Sequence, residues 1–204
     1  MVITFLLFLN SVKATVNIIL NQNLTLMWDT DTNNNLRNYT LSVNVSAYSD
    51  NRWVGIGFKI NTNDLTMSEA DIIVFYMGET NKCQDRYSAS PATEPTLDLI
   101  QDVNCSDRRK FDNEIKYYWK KPLRTNDKDD ITLNGDDKAE LNILWAFGDL
   151  DFDRKILAHG NKTYQRGSYI YKPSVPIIPN VNFSPNSFDI LNGFLTLFFM
   201  GIIF

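Results

Sequence analysis

Tyr39-Thr-Leu-Ser-Val-Asn-Val-Ser-Ala47 alternates apolar and polar residues without a break. This period of two is typical of a β-strand with one buried face. Further along, residues 53–60 are rich in aromatic and β-branched side chains, and Asp71-Ile-Ile-Val-Phe-Tyr-Met77 is almost continuously apolar. A short apolar run of this kind indicates a strand that is covered on both faces. Together the three segments predict a sheet protein.

Other segments extend this pattern along the chain. Six more strands are predicted at Leu24–Trp28, Cys83–Ser88, Phe111–Trp119, Asp130–Leu133, Leu141–Phe147 and Ser168–Tyr171. Clusters of Asn and Asp, such as residues 31–35 and 126–130, separate the strands as turns. No stretch of about 12 residues has a helical period. We therefore predict an all-β fold, an antiparallel immunoglobulin-like β-sandwich formed by one domain over residues 15–172.

The two ends of the chain have the composition of targeting signals. The apolar run Ile3–Leu9 is followed by Val12 and Ala14, which suit signal peptidase, so residues 1–14 are predicted as a secretory signal peptide. Residues 173–187 are rich in proline and are predicted as an extended stalk. Residues 188–204 are predicted as an apolar C-terminal anchor signal. This apolar tail is shorter than the roughly 20 residues that a transmembrane helix needs.

A lipid anchor attached near Asn180 or Asn182 fits the polar spacer before the tail. A short membrane span, or a tail packed on a partner, is the alternative. The predicted location is the secretory pathway and then the extracellular face of the cell membrane.

Cysteine and asparagine usage agrees with secretion. Cys83 and Cys105 are the two cysteines of the chain, and an even pair in an oxidising compartment predicts one disulfide. Glycosylation triplets begin at Asn23, Asn38, Asn44, Asn104 and Asn161. The formal net charge is −4 and there is no basic stripe, so nucleic acid is not a predicted partner.

The chain contains a single histidine, His159. This excludes a copper or zinc site built from several imidazoles. One imidazole can still act as a base, serve a structural role, or supply one axial ligand to a haem. No serine or cysteine lies in a nucleophile motif and no glycine loop suits a phosphate. We therefore predict a binding or electron-transfer module rather than an enzyme.

Several short motifs, read in order, resemble the DOMON domain. They are Trp53-Val-Gly-Ile-Gly-Phe58, Met67-Ser-Glu-Ala-Asp71, Asp85-Arg-Tyr-Ser88, Gln101-Asp102, Lys121-Pro-Leu-Arg-Thr125, Leu144-Trp-Ala-Phe-Gly148, His159-Gly160 and Arg166-Gly167. Each motif is loose, but their order and spacing over about residues 20–172 make the resemblance specific. The His-rich copper domains and the membrane-helix bundles of some relatives are absent from this sequence.

The resemblance implies a cofactor and its ligands. In the haem-binding branch of the family, a Met and a His on loops at one end of the sandwich ligate a b-type haem. Met67 and His159 fall at the matching positions, and Arg166 is a candidate partner for a haem propionate. Covalent attachment is excluded because there is no Cys-x-x-Cys-His. The implied function is one-electron transfer to or from an unidentified redox partner.

Two other functions remain open at this stage. A haem-free surface module could bind carbohydrate or protein through its aromatic residues, and a purely structural coat glycoprotein is the third possibility. The candidate pocket aromatics are Trp53, Phe58, Tyr76, Tyr87 and Trp145, although their strand positions favour the core. Without the resemblance, a lone loop histidine and a Met before a buried strand are ordinary surface and core residues.

The acidic residues have less specific interpretations. Asp71 and Asp85 could act as an acidic pair, but we expect them to satisfy loop backbone or to pair with Arg86. A second group comprises Asp127, Asp129, Asp130, Asp136 and Asp137. Its spacing fits no calcium-loop pattern, so a solvated hairpin turn is the prediction.

Overall fold

The protein is represented by a computed structural model that describes residues 15–60, 63–79, 82–90, 93–133, 140–159 and 166–173. These residues form strands β1 (Thr15–Asn21), β2 (Leu24–Asp31), β3 (Leu36–Asn44), β4 (Arg52–Ile60), β5 (Ala70–Tyr76), β6 (Cys83–Ser88), β7 (Thr96–Leu97), β8 (Asn104–Lys110), β9 (Glu114–Pro122), β10 (Leu141–Asp149) and β11 (Arg166–Tyr171). A short 3₁₀ turn at Val45–Ala47 follows β3.

The strands form two antiparallel sheets. The first sheet has the order β1-β2-β3-β9-β8, and the second has the order β11-β10-β4-β5-β6-β7. Alternate residues of the two sheets meet in one apolar core, where the Tyr39 and Trp119 rings of the first sheet stack with centroids 4.8 Å apart. The predicted all-β sandwich is confirmed.

The second sheet is apolar on both faces. All seven residues of β5 are buried, which confirms the interpretation of this run as a strand covered on both sides. On β4, Val54, Ile56 and Phe58 point into the core between the sheets. Trp53 of β4 and Ile72 of β5 belong to a separate apolar cluster on the outer face. A face of this kind must be covered by other chain segments or by a ligand.

The predicted disulfide joins Cys83 to Cys105, with the two Cα atoms 5.9 Å apart. Cys83 begins β6 in the second sheet, and Cys105 lies in β8 of the first sheet. The bond therefore links the two sheets covalently.

The strand predicted at Asp130–Leu133 is wrong, because these residues are irregular. Leu133 donates its N–H to the carbonyl of Leu123 at 2.8 Å, and Ile131 donates to Oδ2 of Asp71 at 3.2 Å. The segment thus satisfies its backbone individually instead of joining a sheet. Its apolar residues anchor a loop against the core.

Several predictions concern residues outside the described ones. They are the signal peptide at 1–14, the glycosylation triplet at Asn161, the stalk beyond Pro173 and the anchor signal at 188–204. In the part of the chain that the structure describes, no helix combines the length and the hydropathy needed to cross a membrane.

Candidate functional site

A cleft of about 710 Å³ lies on the outer face of the second sheet. Its volume falls within the roughly 300–1,000 Å³ range of small-molecule and cofactor sites. The floor includes Trp53, Gly57, Ile72, Val74, Leu144 and Ala146, and the walls are formed by residues 65–67, 93–95 and 156–159. The cleft is therefore the part of the outer apolar face that the described loops do not cover.

Two glycines lower the floor of the cleft. Gly55 and Gly57 of β4 occupy outward-facing positions, with side chains of the neighbouring strands β5 and β10 on either side of them. A Cβ atom at Gly57 would lie 3.3 Å from Cγ1 of Ile72 and 3.4 Å from Cβ of Leu144. Glycine within a strand often marks a site where a ligand approaches the backbone closely. The missing side chains leave space against the sheet.

Met67 lies on one wall, half-buried in the connection from β4 to β5. The ammonium of buried Lys59 lies 2.7 Å from Oδ2 of Asp64 and 3.4 Å from the carbonyl oxygen of Thr66. The hydrogen bond from Lys59 lowers the pKa of Asp64 to about 2. On the other side, Ala70 donates its N–H to the Met67 carbonyl at 3.1 Å. Both flanks of Met67 are thus tied to strands.

His159 lies on another wall, half-buried at the end of the segment that follows β10. An isolated bridge between Leu150 and Ile156 folds this segment back on itself. The indole N–H of Trp53 then donates to the carbonyl of Leu157 at 3.0 Å. Trp53 therefore holds the segment against the sheet just before His159.

Arg166 begins β11, in register with Ala146 of β10, and is exposed at the edge of the cleft. The structure thus brings Met67 to the same cleft as His159 and Arg166, although Met67 is distant from them in sequence. Their roles toward a cofactor remain predictions.

The candidate aromatic residues separate into different places. Trp53 and Trp145 line the cleft but are only 6% exposed. Phe58 points into the core between the sheets, so the structure removes it from any pocket. Tyr76 is buried and donates its hydroxyl to Oε1 of Gln84 at 3.0 Å. The buried indoles offer no open ring faces on which a sugar could stack.

The expected pairing of Asp71 or Asp85 with Arg86 is wrong. The guanidinium of Arg86 bonds instead to Oε1 of Glu94 at 2.9 Å and to the carbonyl of Pro95 at 2.6 Å. These bonds hold the wall at residues 93–95. Asp71 does accept a hydrogen bond from the loop backbone, as expected, from the N–H of Ile131. Its other oxygen accepts from the buried ammonium of Lys121.

A buried ion cluster lies between the two sheets. It consists of Lys121 and the four carboxylates Asp71, Asp85, Asp102 and Asp130, and we call it the Lys121 cluster. The Lys121 ammonium lies 2.8 Å from Asp71, 3.1 Å from Asp85, 2.7 Å from Asp130 and 4.0 Å from Asp102. The side chain of Lys121 is only 4% exposed. Oxygens of Asp71, Asp85 and Asp130 lie close enough together to hold a metal ion, but the ammonium already supplies the cation there. We therefore assign no metal to it.

Burial and crowding set the pKa values in the Lys121 cluster. Burial raises the pKa of Asp85 to about 8 and also raises that of Asp71. Burial, together with a hydrogen bond to Asp130, raises the pKa of Asp102 to about 6. Burial opposes the charge of Lys121, but the surrounding carboxylates outweigh it and hold its pKa above the usual range.

The expectation of a solvated acidic turn is wrong for Asp130, whose side chain is only 2% exposed. Asp127 and Asp129 are half-buried, and Asp136 and Asp137 lie outside the described residues. The signal that sequence reasoning missed is the alternation of β9. Ile115, Tyr117, Trp119 and Lys121 all take inward positions, and an inward lysine requires carboxylates around it.

Four of the predicted glycosylation sites lie in the described residues. Asn23 is in the β1–β2 turn, Asn38 is in β3, Asn44 ends β3, and Asn104 begins β8. Asn38 and Asn104 both pair in register with Lys120 of β9, which places them on the outer face of the first sheet. Their occupancy remains a prediction.

Comparisons with known proteins identify the family of this chain. A comparison with curated proteins gives no match. Among solved structures, the cytochrome domain of Myriococcum thermophilum cellobiose dehydrogenase has the same fold, with a TM-score of 0.50 and 11% sequence identity. The alignment covers 78% of this chain and 81% of that domain. The model of the DOMON domain family matches residues 20–148, so the chain belongs to the DOMON domain family.

Proposed function

We propose that this protein binds b-type haem in the cleft and transfers single electrons, with Met67 and His159 holding the haem iron. The observation that carries the proposal is that both residues line the same cleft. A thioether sulfur and an imidazole nitrogen are an established ligand pair for haem iron. The fold shared with a cytochrome domain gives further support.

The residues present fit the group. The cleft has an apolar floor of strand residues, and Gly55 and Gly57 leave space against the sheet. This floor would exclude water from the macrocycle. Exposed Arg166 at the edge would offer its guanidinium to a propionate, since an arginine fork suits a carboxylate.

The bound haem would supply reversible one-electron chemistry. Met67 and His159 would hold the haem iron, and ligation by Met and His would favour a higher reduction potential. A haem held by two protein ligands would favour electron transfer over oxygen activation. Substrate chemistry would then belong to a redox partner, in line with a module that is not itself an enzyme.

We also propose that the domain works at the extracellular face of the cell membrane, held by a C-terminal lipid anchor. The disulfide between Cys83 and Cys105 supports passage through an oxidising compartment. The glycosylation triplets and the composition of the two ends support the same route.

The experiment is a haem titration of the full chain, followed by absorption spectroscopy. Met67→Ala and His159→Ala should each lose most of the haem affinity or change the spectrum, because each removes one iron ligand. Met27→Ala is the matched control, since Met27 lies on β2 of the other sheet. The proposal fails if the wild type binds no haem, or if all three variants behave alike.

A haem-free wild type that binds glycans or a protein would support the alternative surface-binding function. In that case the loss of Met67 or His159 should leave binding unchanged, whereas the loss of exposed aromatic residues should abolish it. Among the described residues these are Phe111, Phe152 and Tyr169.

A further inference from the structure

The Lys121 cluster contains more negative than positive charge. One ammonium lies among four carboxylates, and three of these are within 3.1 Å of it. Burying an uncompensated charge is costly, so a protein neutralises such a group by changing its protonation. The missing positive charge must be supplied, and a proton is the simplest source.

Two oxygens show where that proton lies. Oδ1 of Asp102 and Oδ2 of Asp130 are buried, and no N–H or O–H group of the described chain donates to them. Both carboxyl groups face the same Lys121 ammonium, which lies 2.7 Å from Asp130 and 4.0 Å from Asp102, so the two acids are close neighbours. Two ionised carboxylates have no hydrogen to share. We propose that Asp102 and Asp130 form a proton-binding site in which one proton is shared between the two side chains.

The shared proton resides on Asp102. Burial raises the Asp102 pKa to about 6. Burial alone would raise the Asp130 pKa too, but hydrogen bonds from Lys121 and Thr125 lower it. Asp102 is therefore the donor and Asp130 the acceptor, while Oδ1 of Asp130 also accepts from Lys121 at 2.7 Å.

This proton helps to join the two sheets. Lys121 belongs to β9 of the first sheet, whereas Asp71 and Asp85 belong to β5 and β6 of the second. Gln101 clamps the segment that carries Asp102, because its amide bonds both the N–H and the carbonyl of Asp85. Loss of the proton adds a negative charge to a buried contact between the sheets and weakens it.

Other charged groups face the same region. From β3, Tyr39 is neutral because burial raises its pKa, and buried Arg37 adds a fixed positive charge beside it. From the connecting segments, burial and repulsion by Asp127 raise the pKa of Asp98 to about 7. Asp98, and Asp85 with its pKa raised by burial to about 8, thus titrate near Asp102, so the test must alter Asp102 alone.

The sign of the effect follows from linkage. An aspartate pKa near 3.9 in the unfolded chain and about 6 in the folded chain means that the folded state binds more protons between these values. The stabilisation is complete below about pH 4 and is lost as the pH rises through about 6. Two pKa units correspond to about a 100-fold change in the unfolding equilibrium constant.

The first test compares the full chain with Asp102→Asn, whose amide is a permanent donor in place of the protonated carboxyl. Between pH 4 and pH 7 the unfolding equilibrium constant of the wild type should rise about 100-fold relative to that of the variant. Asp112→Asn is the control, because Asp112 is exposed, and it should follow the wild type. The same pH dependence in the wild type and in Asp102→Asn would overturn the proposal.

The second test needs no variant to fold. Side-chain carboxyl NMR of the full chain should give Asp102 a titration midpoint near 6, with a matching shift at Asp130. A midpoint for Asp102 at or below the ordinary value of about 4 would overturn the proposal. Neither test depends on haem, because no member of the Lys121 cluster lines the cleft.

Discussion

Lys121 carries the positive charge that several buried carboxylates depend on. Lys121→Met should lower the free energy of unfolding by about 3–5 kcal/mol, because it leaves buried carboxylates without their cation. Chemical denaturation at neutral pH measures this. Lys120→Met is the matched control: Lys120 is the exposed neighbour on the outer face, and its loss should change stability by about 0.5 kcal/mol or less. Equal effects of the two substitutions would contradict the ion cluster.

Trp53 donates a hydrogen bond to a loop carbonyl in addition to packing its ring against its neighbours. Trp53→Phe removes the N–H that bonds the Leu157 carbonyl at 3.0 Å. It should cost about 1 kcal/mol beyond the loss of ring volume and speed hydrogen exchange in residues 157–159. Trp28→Phe is the control, since the buried Nε1 of Trp28 has no hydrogen-bond partner in the described chain. Unchanged exchange in Trp53→Phe would show that another contact holds the segment.

Site residues that belong to family motifs could be predicted from the sequence, whereas the roles of residues in buried ion pairs could not. Met67, His159 and Arg166 were proposed from the order of family motifs, and they now line one cleft. Asp102 and Lys121 formed part of the same motifs but were given no role. Their role comes from contacts between distant segments, and a charge placed inside a sandwich is visible only when its partners are known.

The disulfide is the covalent link between strands β6 and β8 of different sheets. Replacing both Cys83 and Cys105 by Ala should lower the free energy of unfolding by about 3 kcal/mol, because the bond closes a 22-residue separation. Chemical denaturation of the double variant measures the loss, and the wild type treated with reductant should match it. A variant as stable as the oxidised wild type would contradict a structural role for the bond.

Strand positions were predictable where side chains alternate or stay apolar. Strands β3, β4, β5 and β10 are recovered within a few residues of their ends. The run from Tyr39 stops at Asn44 instead of Ala47, because the Asn44 side chain accepts from the N–H of Ser46 and caps a 3₁₀ turn. Alternation continues through this turn, so the pattern alone could not mark the end.

The strands that sequence reasoning missed all lie at sheet edges. β1, β7 and β8 lie at the edges of their sheets. β8, Asn-Cys-Ser-Asp-Arg-Arg-Lys, has no apolar alternation, and its residues are exposed or half-buried. Charged edge strands are common because they discourage pairing between molecules. Their position in the sheet comes from pairing with β9, which a local pattern does not encode.

The molecule as a whole should be most stable in mildly acidic solution. Asp85 and Asp98 have pKa values raised to about 8 and about 7, so their stabilisation is lost as the pH rises through these values. Asp64 has its pKa lowered to about 2, so its contribution is lost as the pH falls toward that value. Denaturation midpoints at pH 5, 7 and 9 should therefore decrease in that order. A rise from pH 5 to pH 9 would contradict this charge arrangement.

The two outer faces of the sandwich differ in character. The face of the first sheet carries the glycosylation triplets at Asn38 and Asn104, whereas the face of the second sheet carries the cleft. None of the predicted glycosylation sites among the described residues lines the cleft. We therefore expect a redox partner to approach from the second sheet.

The absorption spectrum of the full chain, purified from cells supplied with haem and recorded oxidised and then reduced, tests haem binding between Met67 and His159 most directly. We predict a coloured protein whose spectrum changes reversibly on reduction and shows six-coordinate iron in both states. A colourless protein, or one with an open iron position, would contradict it.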